Sequence, residues 1–343
     1  THSAAGPIFG TAAAQASAGA DKLQQVLRQP YVLKGFDYST TCSIGISLFD
    51  QELTVDELLK FADTAMYQAK DAGRNAVRFF DPAMQKAIEE RSALVDDLRV
   101  AIQQQQFVLF YQVQTGADGR AIGAEALIRW NHPTRGLLSP AMFIGLAEET
   151  RLILPIGEWV IKEACQQLKA WASDDLTRNL MLGVNVSVHQ FKADQLVKQV
   201  EEQLLVTGIE PHLLKLENTE SMLMDDVEKA ISTMRQLKGL GVSFSIDDFG
   251  TGYSSLQYLK RLPLDQIKID QSFVRDITID SSDQAIVRTI VAMAKSLQLT
   301  TIAEGVETQA QKAMLLACGC EDFQGYLLGR PVAVDIFESR LRT

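Results

Sequence analysis

Apolar and polar positions alternate with a period of two along Gly241-Val-Ser-Phe-Ser-Ile-Asp-Asp248, where Val242, Phe244 and Ile246 interleave with Ser243, Ser245 and Asp247. The pattern predicts a half-buried strand that ends on two adjacent acids, which simple alternation would point to opposite sides. The same unit recurs from Phe107 onward: a short apolar strand, a polar residue at its end, then a helical stretch. The predicted strands are 107–114, 122–130, 181–187, 213–219, 242–248, 266–270, 301–304 and 322–325. Eight strands over about 240 residues match a (β/α)8 barrel in number and size. The first two, however, are joined only by Thr115-Gly-Ala-Asp-Gly-Arg120. So short a connection holds no crossover helix, so this pair should be antiparallel. The expected fold class is α/β, a modified TIM barrel over 107–343 with an antiparallel first strand.

Upstream the pattern differs. Residues 1–20, rich in Ala, Gly and Ser, carry no periodic signal and are expected to be flexible or irregular. From Asp21 to residue 81 the chain reads as a small α/β unit. It has a short helix to Arg28, extended segments at 31–33 and 38–49, and a helix opened by the capping box Thr54-Val-Asp-Glu57 and closed by Gly73. A strand at 76–80 follows. About 60 patterned residues are too few for a comfortable core of their own. Asp81-Pro82 then opens a linker helix over 82–106, with Ile88, Leu94, Leu98 and Ile102 at helical spacing.

Composition narrows the function classes. Hydrophobic content of 46 % and charged content of 22 % are those of a folded globular protein. A net charge of -10 argues against a partner that is a nucleic-acid polymer, while leaving room for a small anionic ligand. No apolar run is long enough to span a bilayer, so no membrane contact is expected within this chain. Starting at Thr1, the chain is expected to be part of something longer, which leaves open a membrane-anchored sensor upstream. Cys42, Cys165, Cys318 and Cys320 form no CxxC pair, which favours a reducing cytoplasm. Cys318-Gly-Cys320 reads as buried residues at a helix end rather than a metal or redox pair.

Barrel sites form at the C-terminal ends of strands. Those ends carry Glu125, Asn185, Glu217, Asp247 with Asp248, Lys268 with Asp270, Glu304 with Glu307, and Gln324. Oxygen donors without His or Cys suit Mg2+ or Mn2+ rather than zinc. Adjacent acids such as Asp247 and Asp248 also repel unless a cation lies beside them. The bland alternative makes Asp248 a helix cap and Asp247 a solvated charge.

Two resemblances sharpen this. Cys42-Ser-Ile-Gly-Ile-Ser47 and Ala62-Asp-Thr-Ala-Met-Tyr-Gln-Ala-Lys-Asp-Ala-Gly-Arg-Asn75 resemble the C-terminal part of a GGDEF (diguanylate cyclase) domain whose naming motif is absent, which implies a remnant unable to make cyclic dinucleotide. Glu125-Ala-Leu-Ile-Arg-Trp130, Asn185-Val-Ser187, Glu217-Asn-Thr-Glu220, Asp247-Asp-Phe-Gly-Thr-Gly-Tyr-Ser-Ser255, Lys268-Ile-Asp270, Ala303-Glu-Gly-Val-Glu307 and Gln324-Gly-Tyr326 with Gly329-Arg-Pro331 resemble an EAL domain.

The second resemblance implies a phosphodiesterase that hydrolyses cyclic di-GMP to linear pGpG with two metals per site. It implies that Glu125, Asn185, Glu217 and Asp247 hold one metal, with Asp247 bridging to a second assisted by Asp248 and Glu304. Lys268 would support the attacking water or the phosphate. Gln112, Leu127, Arg129, Asn185, Asp270, Glu307 and Gln324 would contact substrate; the alternative for Arg129 is a structural ion pair. The loop Phe249, Gly250, Thr251, Gly252 and Tyr253 would link homodimer formation to the second metal, against the alternative of a plain mobile connection. Departures from the family pattern are Val113, Gly145, Arg151 and Asn218, the last placed to disturb its neighbour Glu217. A silent cyclic di-GMP receptor, signalling through the linker helix, is the rival function; a Mg2+-dependent barrel lyase or isomerase would explain the acids but not the motifs.

Overall fold

The computed structural model describes residues 7–34, 36–48, 53–80, 82–193, 195–219, 227–250 and 259–342. The chain divides into two compact units, Thr1–Asp96 and Asp97–Thr343.

In the first unit, α1 spans Pro7–Leu27, so the described part of the Ala-rich stretch expected to be irregular is helical. Alanine's high helix propensity outweighs the interspersed Gly and Ser. β1 (Tyr31–Leu33) pairs antiparallel with β2 (Phe36–Tyr38). The extended stretch expected at 38–49 is broken: β2 reaches only its first residue, and beyond it, among the described residues, only β3 (Ile44–Ile46) forms a strand, parallel to β4 (Val77–Phe79). α2 (Val55–Asp71) is the crossover between them, opened by the reciprocal Thr54–Glu57 capping box. Gly45 lets this helix lie on the sheet, because a Cβ there would run into the Ala62 carbonyl.

α3 spans Pro82–Gln103, with Leu94 and Leu98 buried. The second unit then closes a barrel from eight strands: β5 (Phe107–Thr115), β6 (Ala121–His132), β8 (Met181–Asn185), β9 (Leu214–Thr219), β10 (Ser243–Phe249), β11 (Gln266–Ile269), β12 (Thr300–Ala303) and β13 (Asp322–Gln324). β5 is antiparallel to both of its neighbours, β6 and β13, and every other barrel pairing is parallel. The short hairpin read from the sequence accounts for this direction. A further strand, β7 (Gly136–Leu138), extends β6 outside the ring and was not foreseen.

Three of the helices that follow barrel strands start on side-chain caps. Ser187, predicted as the last residue of a strand, caps the short helix Val188–Lys192. Asp270 caps the short helix Gln271–Arg275, and Thr308 caps Gln309–Ala317.

The barrel wall sorts its side chains by face. Leu182, Leu216, Phe244, Ile246, Ile267 and Phe323 are buried on the outer face, in the layer shared with apolar helix residues such as Ile156, Met234 and Val291. The inner face is polar: Gln114, Glu125, Lys215, Glu217, Ser245, Gln266 and Lys268 are all buried there. Strand alternation therefore encloses a polar shaft within an apolar sleeve. Among the described residues, no helix is long and apolar enough to cross a membrane.

Candidate active site

Inward-facing residues of successive strands converge on one ammonium group. Lys268, 1 % exposed, stands on β11 with its Nζ 2.6 Å from Glu217 Oε2 and 2.6 Å from Glu304 Oε1. Asp247 Oδ2 lies 3.1 Å away and Glu125 Oε2 3.6 Å. Four carboxylates from four different strand ends thus surround one cation, as the strand-end reading predicted. Gly183 on β8 leaves the room: a Cβ there would collide with the Glu217 carboxylate.

Amides hold the acids from the other side. Asn185 Nδ2 donates to Glu125 Oε1 at 2.6 Å, and Gln324 Nε2 donates to Glu125 Oε2 at 2.6 Å. Gln324 also donates to Gln112 Oε1 at 3.0 Å and accepts from Gln114 Nε2 at 2.7 Å. Gln112 in turn donates to the Gly329 carbonyl at 3.0 Å. Below them, Lys215 Nζ donates to Gln114 Oε1 at 3.1 Å and Gln266 Oε1 at 2.8 Å, and lies 3.6 Å from Glu217 Oε1. Gln114, Lys215, Gln266 and Gly183 were not anticipated; a signal for Lys215 existed, since it stands two residues before Glu217 and shares its face.

The charges act on one another through little water. Burial pulls the Lys268 pKa down, but Glu125 and Glu217, then Glu304 and Asp247, outweigh it and hold the ammonium well above its ordinary value. Burial raises Glu125, yet Lys268 and the hydrogen bonds from Gln324 and Asn185 reverse the sign and leave it below the usual carboxylate range. Glu217 is raised by burial, with Glu125 adding to it, and Glu304 is raised well above its ordinary value by burial, with Asp247 contributing. Asp248 is pushed up to about 6 by burial, then by the charges of Asp247 and Asp270.

Asp248 also departs from the alternation. Its φ of 54° is left-handed, a conformation Asp tolerates better than most residues, and its amide donates to Asp247 Oδ1 at 2.9 Å. The two acids therefore turn to one side instead of opposite sides. Asp247, Asp248 and Glu304 each bring a carboxylate oxygen within 4.8 Å of the others. This triad and the absence of His and Cys from the set fit a divalent cation of the hard, oxygen-seeking kind.

The remaining sequence candidates take varied places. Gln112, Leu127 and Glu307 line a cleft of about 230 Å³ over Lys268, together with Gln271 and Tyr326. Leu127 also borders a groove of about 630 Å³ whose walls include Pro140, Ile144 and Asn185. Arg129 lies over the Phe110 ring at 5.4 Å and donates to the Ile128 carbonyl, and among the described residues it forms no ion pair. Asp270 accepts from Ser272 N at 3.0 Å as a helix cap. Phe249 is buried and Gly250 has a φ of 100°, while Thr251, Gly252 and Tyr253, and with them most of the expected regulatory loop, lie outside the described residues. Asn218 is on the outer face, away from the Glu217 carboxylate; turned so that its nitrogen faces the backbone, its amide donates to the Val186 and Glu217 carbonyls at 3.2 Å each.

Comparison with known proteins agrees with this architecture. The EAL domain family matches residues 95–331, and the diguanylate cyclase GGDEF domain family matches residues 9–76. The chain is 46 % identical over 324 residues to the bifunctional diguanylate cyclase/cyclic di-GMP phosphodiesterase MucR of Pseudomonas aeruginosa, covering 94 % of this chain and 47 % of that protein. It is 38 % identical over 320 residues to the cyclic di-GMP phosphodiesterase PdeR of Escherichia coli, covering 93 % of this chain and 48 % of that one. The chain thus spans less than half the length of these relatives. Among solved structures, a MucR phosphodiesterase in complex with c-di-GMP superposes with a TM-score of 0.69 at 47 % identity, over 71 % of this chain and 99 % of that one. The chain belongs to the EAL domain family and carries a short GGDEF segment ahead of its barrel.

Proposed function

We propose that this chain is a metal-dependent phosphodiesterase that hydrolyses cyclic di-GMP to linear pGpG. The observation that carries the reading is the ring of Glu125, Glu217, Asp247 and Glu304 around Lys268 at the C-terminal rim of the barrel. Relatives named as cyclic di-GMP phosphodiesterases, and a related structure in complex with c-di-GMP, supply the substrate.

In this reading Glu125, Asn185, Glu217 and Asp247 hold one Mg2+ or Mn2+, and Asp247 with Asp248 and Glu304 holds a second. Such ions, when bound, neutralise the phosphodiester and acidify water. Lys268 stays protonated and is therefore an electrostatic support for phosphate, not a proton acceptor. Gln324 and Asn185 keep both oxygens of Glu125 in fixed directions, which preserves the geometry on which the reaction depends. Gln112, Leu127, Arg129, Asp270 and Glu307 are the substrate contacts, with Arg129 offering a two-pronged donor to phosphate. Water adds to phosphorus, one P–O3′ bond breaks, and the 3′-oxygen gains a proton. The protein acts as a homodimer in the cytoplasm, with residues 249–253 coupling the dimer to the second cation site.

Incubation with cyclic di-GMP and Mg2+ or Mn2+, followed by chromatography, should yield pGpG. Binding of cyclic di-GMP without turnover in either metal would overturn the enzyme reading in favour of a receptor.

A further inference from the structure

Lys215 has no place in the reaction described above, yet it is one of the largest fully buried side chains, 2 % exposed in the shaft below the acids. Its Nζ faces three oxygens, those of Gln114, Gln266 and Glu217. Burial pulls its pKa down and the Glu217 charge opposes this; a shell made of acceptors suits an ammonium, which has three N–H groups and no acceptor of its own. Glu217 therefore lies between two cations, Lys268 on Oε2 and Lys215 beside Oε1. Lys268 is already shared among four carboxylates, and a buried acid left without compensation is strongly destabilising.

We propose that Lys215 is a second, built-in counter-cation that lets this acid cluster fold without metal, and that it anchors the amide ladder leading to Glu125. The ladder follows from the same geometry. An ammonium only donates, so Gln114 must turn its oxygen down to Lys215 and its nitrogen up to Gln324. Gln324 then has its nitrogen free to serve Glu125 and Gln112, and the ladder ends on the Gly329 carbonyl, which only accepts. Lys215 is a positioning residue: it reaches the site through Glu217 and the glutamines. The metal half of the inference rests on the proposed cation site; the folding half does not.

The test compares melting temperatures of wild type, Lys215→Met and Lys215→Met/Glu217→Gln, each in EDTA and in saturating Mn2+. In EDTA, Lys215→Met should melt on the order of 10 °C below wild type. The double variant should recover at least half of that loss, because the uncompensated charge is gone. Mn2+ should raise the melting point of Lys215→Met by more than that of wild type, since the ion takes over the missing charge. A lysine that merely fills space would cost the same with and without Mn2+ and would not be rescued by Glu217→Gln; either result overturns the proposal. Should Lys215→Met not fold in either condition, the double variant decides: folded in EDTA it supports the proposal, unfolded it overturns it. If Mn2+ shifts not even wild type, the proposed cation site fails, and the EDTA comparison of single and double variants still decides the role of Lys215.

Discussion

The outer and inner faces of the barrel wall are made by the same strands, one residue apart, and follow opposite rules. Outside, Leu182, Phe244 and Ile267 are interchangeable in kind: each buries apolar surface and depends on no particular partner. Inside, each residue depends on another's identity, since Glu217 needs Lys268, Gly183 and Lys215 at once. The sleeve supplies stability by area, and the shaft supplies function by complementarity. Substitutions that cross between these rules break the comparison, and those that stay within one sharpen it.

The largest effect is expected for Glu125→Ala. Turnover of cyclic di-GMP should fall on the order of 10³-fold, as for loss of a group that organises transition-state charge. The circular dichroism spectrum should remain that of the folded barrel, and normal cleavage would refute the assignment of Glu125. Gly183→Ala comes next. Its new methyl displaces the Glu217 carboxylate, so turnover should drop roughly 10–100-fold and stability by about 1–3 kcal/mol, read from steady-state kinetics and a denaturant melt.

Leu182→Ala, one residue away on the outer face, should reverse the emphasis. The cavity it leaves should cost about 2–5 kcal/mol, while turnover per folded molecule stays at the wild-type value. A matching loss in turnover would show that the two faces are not separable. The smallest effect belongs to Asn218→Ile. An apolar side chain in an apolar layer should change stability by no more than about 1 kcal/mol and leave kcat unchanged. A large drop in kcat would restore the idea that Asn218 steers Glu217.

What the sequence disclosed follows the same division. All eight barrel strands were legible because each combines apolar alternation with a polar stop, and the antiparallel β5 was legible because residues 115–120 leave no room for a helix. Seven of the eight strand C-terminal ends shifted by one or two residues: β5, β6 and β10 run on, and four stop short, as where Ser187 and Asp270 join helix caps. The acids of the rim were visible as a set, but not their arrangement. That Asp248 turns back toward Asp247 depends on one left-handed φ, which periodicity does not encode. Lys215 was legible only as a residue on the same face as Glu217; its role was not. Its partners Gln114 and Gln266 lie 101 and 51 residues away, and no local pattern distinguishes a lysine in a shaft from a lysine in water.

The reversed direction of β5 has a consequence for how the barrel is wired. Phe107, its first residue, pairs with Trp130 at the end of β6 that carries the catalytic rim, whereas an ordinary first strand would begin at the far end. The covalent path from α3 therefore enters the barrel at the acid-lined rim, only residues 104–106 after the helix ends, and Gln106 is tied there to the Trp130 indole. The strand that opens the ring thus begins beside the acid rim, where each parallel strand of the ring ends.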